Sequence, residues 1–348
     1  MNTNIHISLL NPILSNKVNH TDKREKVRSK IIPYAFFAIN EINISNIIQK
    51  IPYKSNYYNI MIEYDFVDIG KIGENILENK YLSNTNEYII THYNNELYID
   101  FEDCLFNNPD KKQFLFNILN SYSNILNNLI ILNDHNICFF DLSTHNIVFL
   151  HNSMSILQNV QNCLILDKLD ETYITQILTN IEIYTYKPLE VHVLFYLIKN
   201  NYDSLSHTLI ENICNHYVQN MYILSLFSLK YKEFYEKECV ETLKKYINVP
   251  KSEIIHDILQ YYKYWDNYSL TVIYLHIFGN IIREFSLKNT FINKFTSLLT
   301  KNIHPNPFKR ETLKETNHLY HQLFAEYLDW SFINTIPNEK LQNLYNSL

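Results

Sequence analysis

The chain has 348 residues, 46% of them hydrophobic, including 28 Tyr and 20 Phe. That is enough apolar mass for one large domain or two lobes, and too much for a disordered chain. The formal net charge of −6 gives none of the basic excess that nucleic-acid binding draws on, and no stretch reaches the roughly 18 uninterrupted apolar residues of a membrane span. Five scattered cysteines without a Cys-x-x-Cys pair argue against a zinc site or a disulfide framework. Residues 1–14 lack the basic flank and apolar core of a secretory signal. The expectation is a soluble protein of a reducing, cytoplasmic compartment. Its wealth of Asn, Ile, Lys and Tyr beside only 3 Gly reads as the codon bias of an AT-rich genome.

Residues 1–30 are polar, with a charged cluster over 22–30, and are expected to be irregular. The apolar positions Phe37, Ile44, Ile47, Ile48 and Ile51 predict a helix over 34–51, stopped by Pro52. β-branched and aromatic residues predict strands over 57–69, 87–92 and 97–101. A helical stripe of Leu115, Ile118, Leu119, Tyr122, Ile125, Leu126 and Leu129 predicts a helix over 111–132. Short β runs follow at 137–140 and 147–150. Beyond them the pattern is helical, with candidates over 191–199, 209–226, 230–247, 252–264, 268–285 and 312–328. The chain reads as α+β, a small β-rich part followed by a large helical one.

The most informative stretch is Phe139-Phe140-Asp141-Leu142-Ser143-Thr144-His145-Asn146. Asp141 and Asn146 lie five residues apart between two apolar runs, and Asp167 closes another such run 21 residues after Asn146. A carboxylate that meets an attacking hydroxyl, followed by an amide oxygen and a second carboxylate that hold Mg²⁺, has this order in phosphoryl-transfer sites. A surface turn in which Asp141 and Asn146 bond their own backbone, and a strand-end turn at Asp167-Lys168, are the plainer alternatives.

Four further pieces extend the pattern: the long helix before the Asp141 segment, Lys187-Pro188-Leu189-Glu190, Asp266-Asn267-Tyr268-Ser269-Leu270, and His304-Pro305-Asn306-Pro307-Phe308-Lys309-Arg310. In order and spacing the set resembles the protein kinase superfamily, over roughly residues 34–328, and it is most similar to divergent kinase-like proteins of large DNA viruses. The resemblance implies a bilobal fold with an N-lobe over 1–95 and a helical C-lobe over 96–348, carrying an insertion around 200–262. It implies transfer of the γ-phosphate of ATP to Ser or Thr hydroxyls of a protein substrate. Asp141 would be the base, and Asn146 and Asp167 the Mg²⁺ ligands. Glu190 would pair with Arg310 in the buried interior, and Asp266 would open the central helix. The activation segment would offer Thr172, Tyr173, Thr175, Thr179 and Tyr184 for phosphorylation.

Departures from the family pattern are equally specific. Phe139-Phe140 stands where His-Arg is usual, Ser143 stands where a Lys neutralises the transferring phosphate, and Lys168-Leu169 replaces Phe-Gly after Asp167. His145 is a candidate for part of the missing charge. No Gly-rich phosphate loop exists, since Gly70 and Gly73 follow the first expected strand and suit a turn. Lys26 and Lys30 are candidates for the ATP-anchoring Lys, with Glu41 as partner; an ordinary solvated charge cluster is the alternative. The same residues therefore also fit a catalytically impaired pseudokinase acting as an interaction scaffold. A small-molecule phosphotransferase and a structural helical protein with chance motifs are more distant readings.

Overall fold

The computed structural model describes residues 27–67, 87–94, 96–106, 110–151, 153–181, 186–284, 287, 289–327 and 329–335. The fold is α+β. Two compact units divide the chain: Met1–Asp100 with Asn146–Cys163, and Phe101–His145 with Leu164–Leu348. The sequence suggested a single cut near residue 95; the division is instead discontinuous, because residues 146–163 pair with strands of the first segment.

In the first unit, β1 (Val27–Pro33), β4 (Tyr88–Asn94) and β3 (Glu63–Val67) form an antiparallel sheet in the order β1-β4-β3. The expected irregular start thus gives way to a strand from Val27. Its charged residues misled the reading, yet Ser29 and Ile31 alternate into the buried face, the period-2 pattern of a half-buried strand. β4 is central and carries a continuous buried run, Tyr88–Thr91, as a strand covered on both faces should. Helix α1 (Phe36–Ile48) contributes Ala38 and Ile42 to a core with Met61, Ile89 and Tyr93. The expected strand over 57–69 is broken into β2 (Tyr58–Asn59) and β3, with Ile60–Ile62 between them.

A second sheet of the same unit has the order β2-β8-β7-β5, with β5 at Ile99–Asp100, β7 at Ile147–Phe149 and β8 at Ser155–Gln158. β2 and β8 run parallel, the other pairs antiparallel. The Asn40 side chain of α1 donates to the carbonyls of Gln161 and Cys163, both at 2.9 Å, and ties the helix to the turn that follows β8.

The second unit begins with α2 (Phe101–Phe106), so that only Ile99–Asp100 of the strand expected over 97–101 is extended in β5, and α3 (Lys111–Asp134) follows. Asp110 caps α3 by accepting the Gln113 N–H at 2.7 Å, and the apolar stripe from Phe114 to Leu132 is buried. Asn136, at φ 58°, turns the chain into β6 (Ile137–Cys138), which pairs with β9 (Leu164–Ile165). Asn tolerates this left-handed conformation better than most residues.

Helices α4 (Glu171–Asn180), α5 (Leu189–Asn200), α6 (His207–Asn220), α7 (Leu229–Leu243) and α8 (Lys251–Leu259) follow. Three of the expected long helices are shorter and end in separate 3-10 turns at Tyr222–Leu226, Lys244–Tyr246 and Tyr262–Tyr264. Helix α9 (Trp265–Glu284) is buried around its whole circumference over its first turns, polar Asp266, Asn267, Ser269 and Thr271 included. Such a helix is a core element, not a surface one. Around it pack α3, α10 (Phe291–Asn302) and α11 (Leu313–Glu326), joined by edge-to-face contacts of Tyr122 with Tyr274 and Phe295 at 5.1 and 4.8 Å. Helix α10 was missed, although its buried Phe291, Ile292, Phe295 and Leu299 follow helical spacing.

Candidate functional site

The Asp141 segment leaves β6 through a strained turn. The Asp141 N–H donates to the Phe139 carbonyl at 2.7 Å, and Phe140 between them sits at φ 63°. A γ-turn of this hand is the rare, strained one, and an aromatic residue in the left-handed region is an outlier costing about 1–3 kcal/mol. Both ends of the strained residue are held. The Asp266 carboxylate, at the start of α9, accepts the Phe139 N–H at 2.8 Å and the Phe140 N–H at 2.7 Å. Lys187 donates to the Phe140 carbonyl. Phe140 and Phe139 are fully buried, and the Phe140 ring packs on Trp265 with centroids 5.4 Å apart.

Asp266 is only 2% exposed. Burial pushes its carboxyl up from the ordinary range, while the two N–H donors and the Lys187 charge pull it back. The two backbone N–H groups oppose that shift because they are donors to the charged form.

Lys187 stands immediately before Pro188, at the head of the Lys187-Pro188-Leu189-Glu190 segment. It is 2% exposed, its Nζ lies 2.9 Å from Asp141 Oδ1, and it stands 4.3 Å from the centre of the Phe140 ring. Asp141 itself keeps 23% of its side chain exposed. Asp141 is therefore a partly accessible carboxylate, fixed on one oxygen by a buried ammonium. Ser143 is half-buried and His145 is exposed, in the 3-10 turn Thr144–Asn146.

Asp167 lies in the 3-10 turn Leu166–Lys168 and is exposed, with Asn136 Nδ2 at 3.5 Å from its Oδ2. After it the chain does not stay extended: Asp170 caps α4 by accepting the Tyr173 N–H at 2.7 Å. Of the hydroxyls expected to be open to phosphorylation, Tyr173 is buried and accepts the Ile165 N–H at 3.2 Å, which corrects that expectation. Thr172 and Thr179 are exposed on α4. Tyr184 lies outside the described residues, as do Lys26, Gly70 and Gly73.

Glu190, in the first turn of α5, and Arg310, after the 3-10 turn Pro307–Lys309, form a buried two-pronged pair at 2.7 and 3.0 Å. Arg310 also donates to the carbonyls of His304 and Pro305, at 2.6 and 3.0 Å, and stacks over Tyr268 at 4.9 Å. Four of the guanidinium's N–H donors are thus matched to two carboxylate oxygens and two carbonyls, a fixed fork that suits Arg to a dry interior.

The remaining candidates belong to the first unit. Asn146 is 8% exposed and leads into β7. Lys30 on β1 and Glu41 on α1 share Tyr93 of β4: the Tyr93 hydroxyl donates to Glu41 Oε1 at 2.8 Å, and the Lys30 ammonium lies 4.6 Å over the same ring. Burial lowers the Lys30 ammonium below its usual value, with the Glu41 charge opposing. Burial likewise raises Glu41, with Tyr93 and then Lys30 opposing. Each charge thus reduces the cost of burying the other.

Among the described residues no three or more His, Cys, Asp or Glu side chains gather as a metal cage. Asn146 belongs to the first unit and Asp167 to the second; a carboxylate or an amide oxygen is a ligand type that suits Mg²⁺, which keeps waters and substrate phosphates in its shell. No described helix is long and apolar enough to cross a membrane. No family model matches the chain, and no curated protein matches its sequence.

Proposed function

We propose that this chain is a divergent, kinase-like phosphotransferase of bilobal architecture that uses Mg²⁺ and ATP and acts on Ser or Thr hydroxyls of a protein substrate. The observation that carries the reading is the anchoring of the Asp141 turn. Asp266 holds the peptide N–H groups before Asp141, Lys187 the carbonyl of Phe140, and a partly exposed carboxylate emerges from the turn they hold. Positioning of this kind supplies most of the protein's share of phosphoryl transfer. In this reading Asp141 orients the hydroxyl and takes its proton late in the transfer, with His145 beside it on the exposed turn. Asn146 and Asp167 would hold Mg²⁺, which when bound neutralises the phosphates. Lys30 on a strand, with Glu41 on the next helix, supplies the nucleotide-anchoring pair that kinases carry on such elements. The Glu190–Arg310 pair supports the reading by its resemblance to the family's buried pair.

A second reading, a scaffold with the same fold and little transfer, draws on one observation: position 143 carries Ser, so the loop itself brings no cation toward the phosphate. Each lost electrostatic contact costs about 2–4 kcal/mol of barrier.

A Mg²⁺-dependent thermal shift with ATP tests the first reading. Saturation at about 100 times Kd stabilises the folded protein by about 2.7 kcal/mol, and Asp167→Ala should abolish the shift. Phosphate transfer to protein hydroxyls should then be lost in Asp141→Ala with the fold intact. An ATP shift without transfer favours the scaffold; no shift with Mg²⁺ and ATP removes the nucleotide site.

A further inference from the structure

We infer that Lys187 is a positioning residue of the Asp141 site, holding the carboxylate from outside a loop that carries Ser at position 143. The inference rests on the phosphotransferase reading. Three contacts define the role. The ammonium meets Asp141 Oδ1 at 2.9 Å, donates to the Phe140 carbonyl, and faces the Phe140 ring at 4.3 Å. A lysine buried to 2% exposure needs such partners, because an unpaired ammonium there would shed its proton.

The arrangement has a direction. Asp266 holds the N–H side of Phe140 and Lys187 holds its C=O side, so the left-handed residue is clamped at both ends. The same ammonium then fixes the first side chain beyond the clamp. Lys187 comes from the segment that leads into α5, so the Asp141 carboxylate is oriented by a residue 46 positions away in sequence. At 2% exposure Lys187 does not touch a substrate in this conformation; it acts through Asp141. A lysine at 143 would bring its charge from within the loop, where Ser143 is half-buried.

Asp266 faces the same ammonium, whose charge its carboxyl feels, and the exposed His145 follows Asp141 by four residues.

The test compares the full-length protein with Lys187→Met and with the double variant Lys187→Met/Ser143→Lys. In Mg²⁺–ATP transfer assays the single variant should lose about 10- to 100-fold in kcat with KM for ATP unchanged. Its acid limb should move to higher pH, because Asp141 no longer has a cation beside it. The double variant should recover part of kcat; a merely structural role would be repaired by neither the new lysine nor a pH change. Wild-type kcat in Lys187→Met overturns the inference. If wild type shows no transfer above Asp141→Ala, the phosphotransferase reading falls on its own. Positioning is then read by NMR of the wild-type protein, where the Lys187 ammonium protons, assigned by their loss in Lys187→Arg, should be protected from water exchange and show contacts to the Phe140 ring. Fast exchange without such contacts overturns the inference, and this measurement also serves if Lys187→Met does not fold.

Discussion

Replacing Arg310 by Met should be among the most damaging single changes in the second unit. The Arg310 and Glu190 side chains are 1% and 4% exposed. Removing the guanidinium takes both partners from the Glu190 carboxylate and one donor each from the carbonyls of His304 and Pro305. Breaking a buried pair from one side costs about 3–5 kcal/mol, because the surviving charge is left dry and unmatched. Against a total stability of about 5–15 kcal/mol, that brings the fold close to its limit. Glu190→Leu should cost a similar amount. The double variant Glu190→Leu/Arg310→Met removes both charges and should be more stable than either single one, since apolar replacement of a whole buried pair is often neutral. Urea unfolding followed by circular dichroism gives the three differences. Single losses below about 1 kcal/mol, the range of exposed pairs, or strictly additive losses would refute the buried-pair argument.

Asp266→Ala strips two buried N–H groups of their acceptor and should cost about 2–4 kcal/mol; an unchanged urea midpoint would mean that water or another acceptor replaces the carboxylate. Asn40→Ala should lower first-unit stability by about 1–3 kcal/mol by orphaning the carbonyls of Gln161 and Cys163, and faster amide exchange in α1 would report it. The protein should lose stability on acidification below the ordinary imidazole value of 6.5, because burial, then Lys309, holds His304 below it while Glu238 opposes. The folded state keeps His304 neutral: its Nδ1 accepts the Asn306 N–H at 3.0 Å, and Glu238, 3.2 Å from its Nε2, already has Lys309 at 2.8 Å. The unfolded chain therefore takes up the proton first as pH falls, and stability, complete above 6.5, declines below it. Urea midpoints at about pH 7.5 and 5.5 should differ less in His304→Gln than in wild type; an equal difference would remove His304 as the cause.

What the sequence made legible was local. The α3 stripe follows from periodicity, whereas the burial of Glu190 with Arg310 and the place of Asp266 were expected from the resemblance alone. What escaped depends on distant partners. Nothing in Phe139-Phe140 announces that residue 140 is left-handed, because aromatic residues avoid that region; the conformation is imposed by Asp266, 126 residues away. Lys187 opens the Lys187-Pro188-Leu189-Glu190 motif, and nothing local to it announces partners at residues 140 and 141. β1 was hidden by its Arg28 and Lys30, which leave the alternating inward positions intact. The discontinuous first unit was illegible for the same reason, since pairing of β5 with β7 and of β2 with β8 has no signature in either segment alone. Tyr173 looked like one more exposed hydroxyl, yet its position on the inner face of α4 buries it.

The anchor at Asp266 reads peptide groups, not side chains. A carboxylate that accepts the N–H groups of residues 139 and 140 imposes the same turn on any non-proline pair that fits the space. The side chains at those positions answer instead to packing, as the buried Phe140 ring does against Trp265. A feature kept in the main chain leaves little trace in residue identity. Two chains that share such a turn can thus diverge until comparison by letters no longer links them, while an acid at the head of the central helix still marks the place.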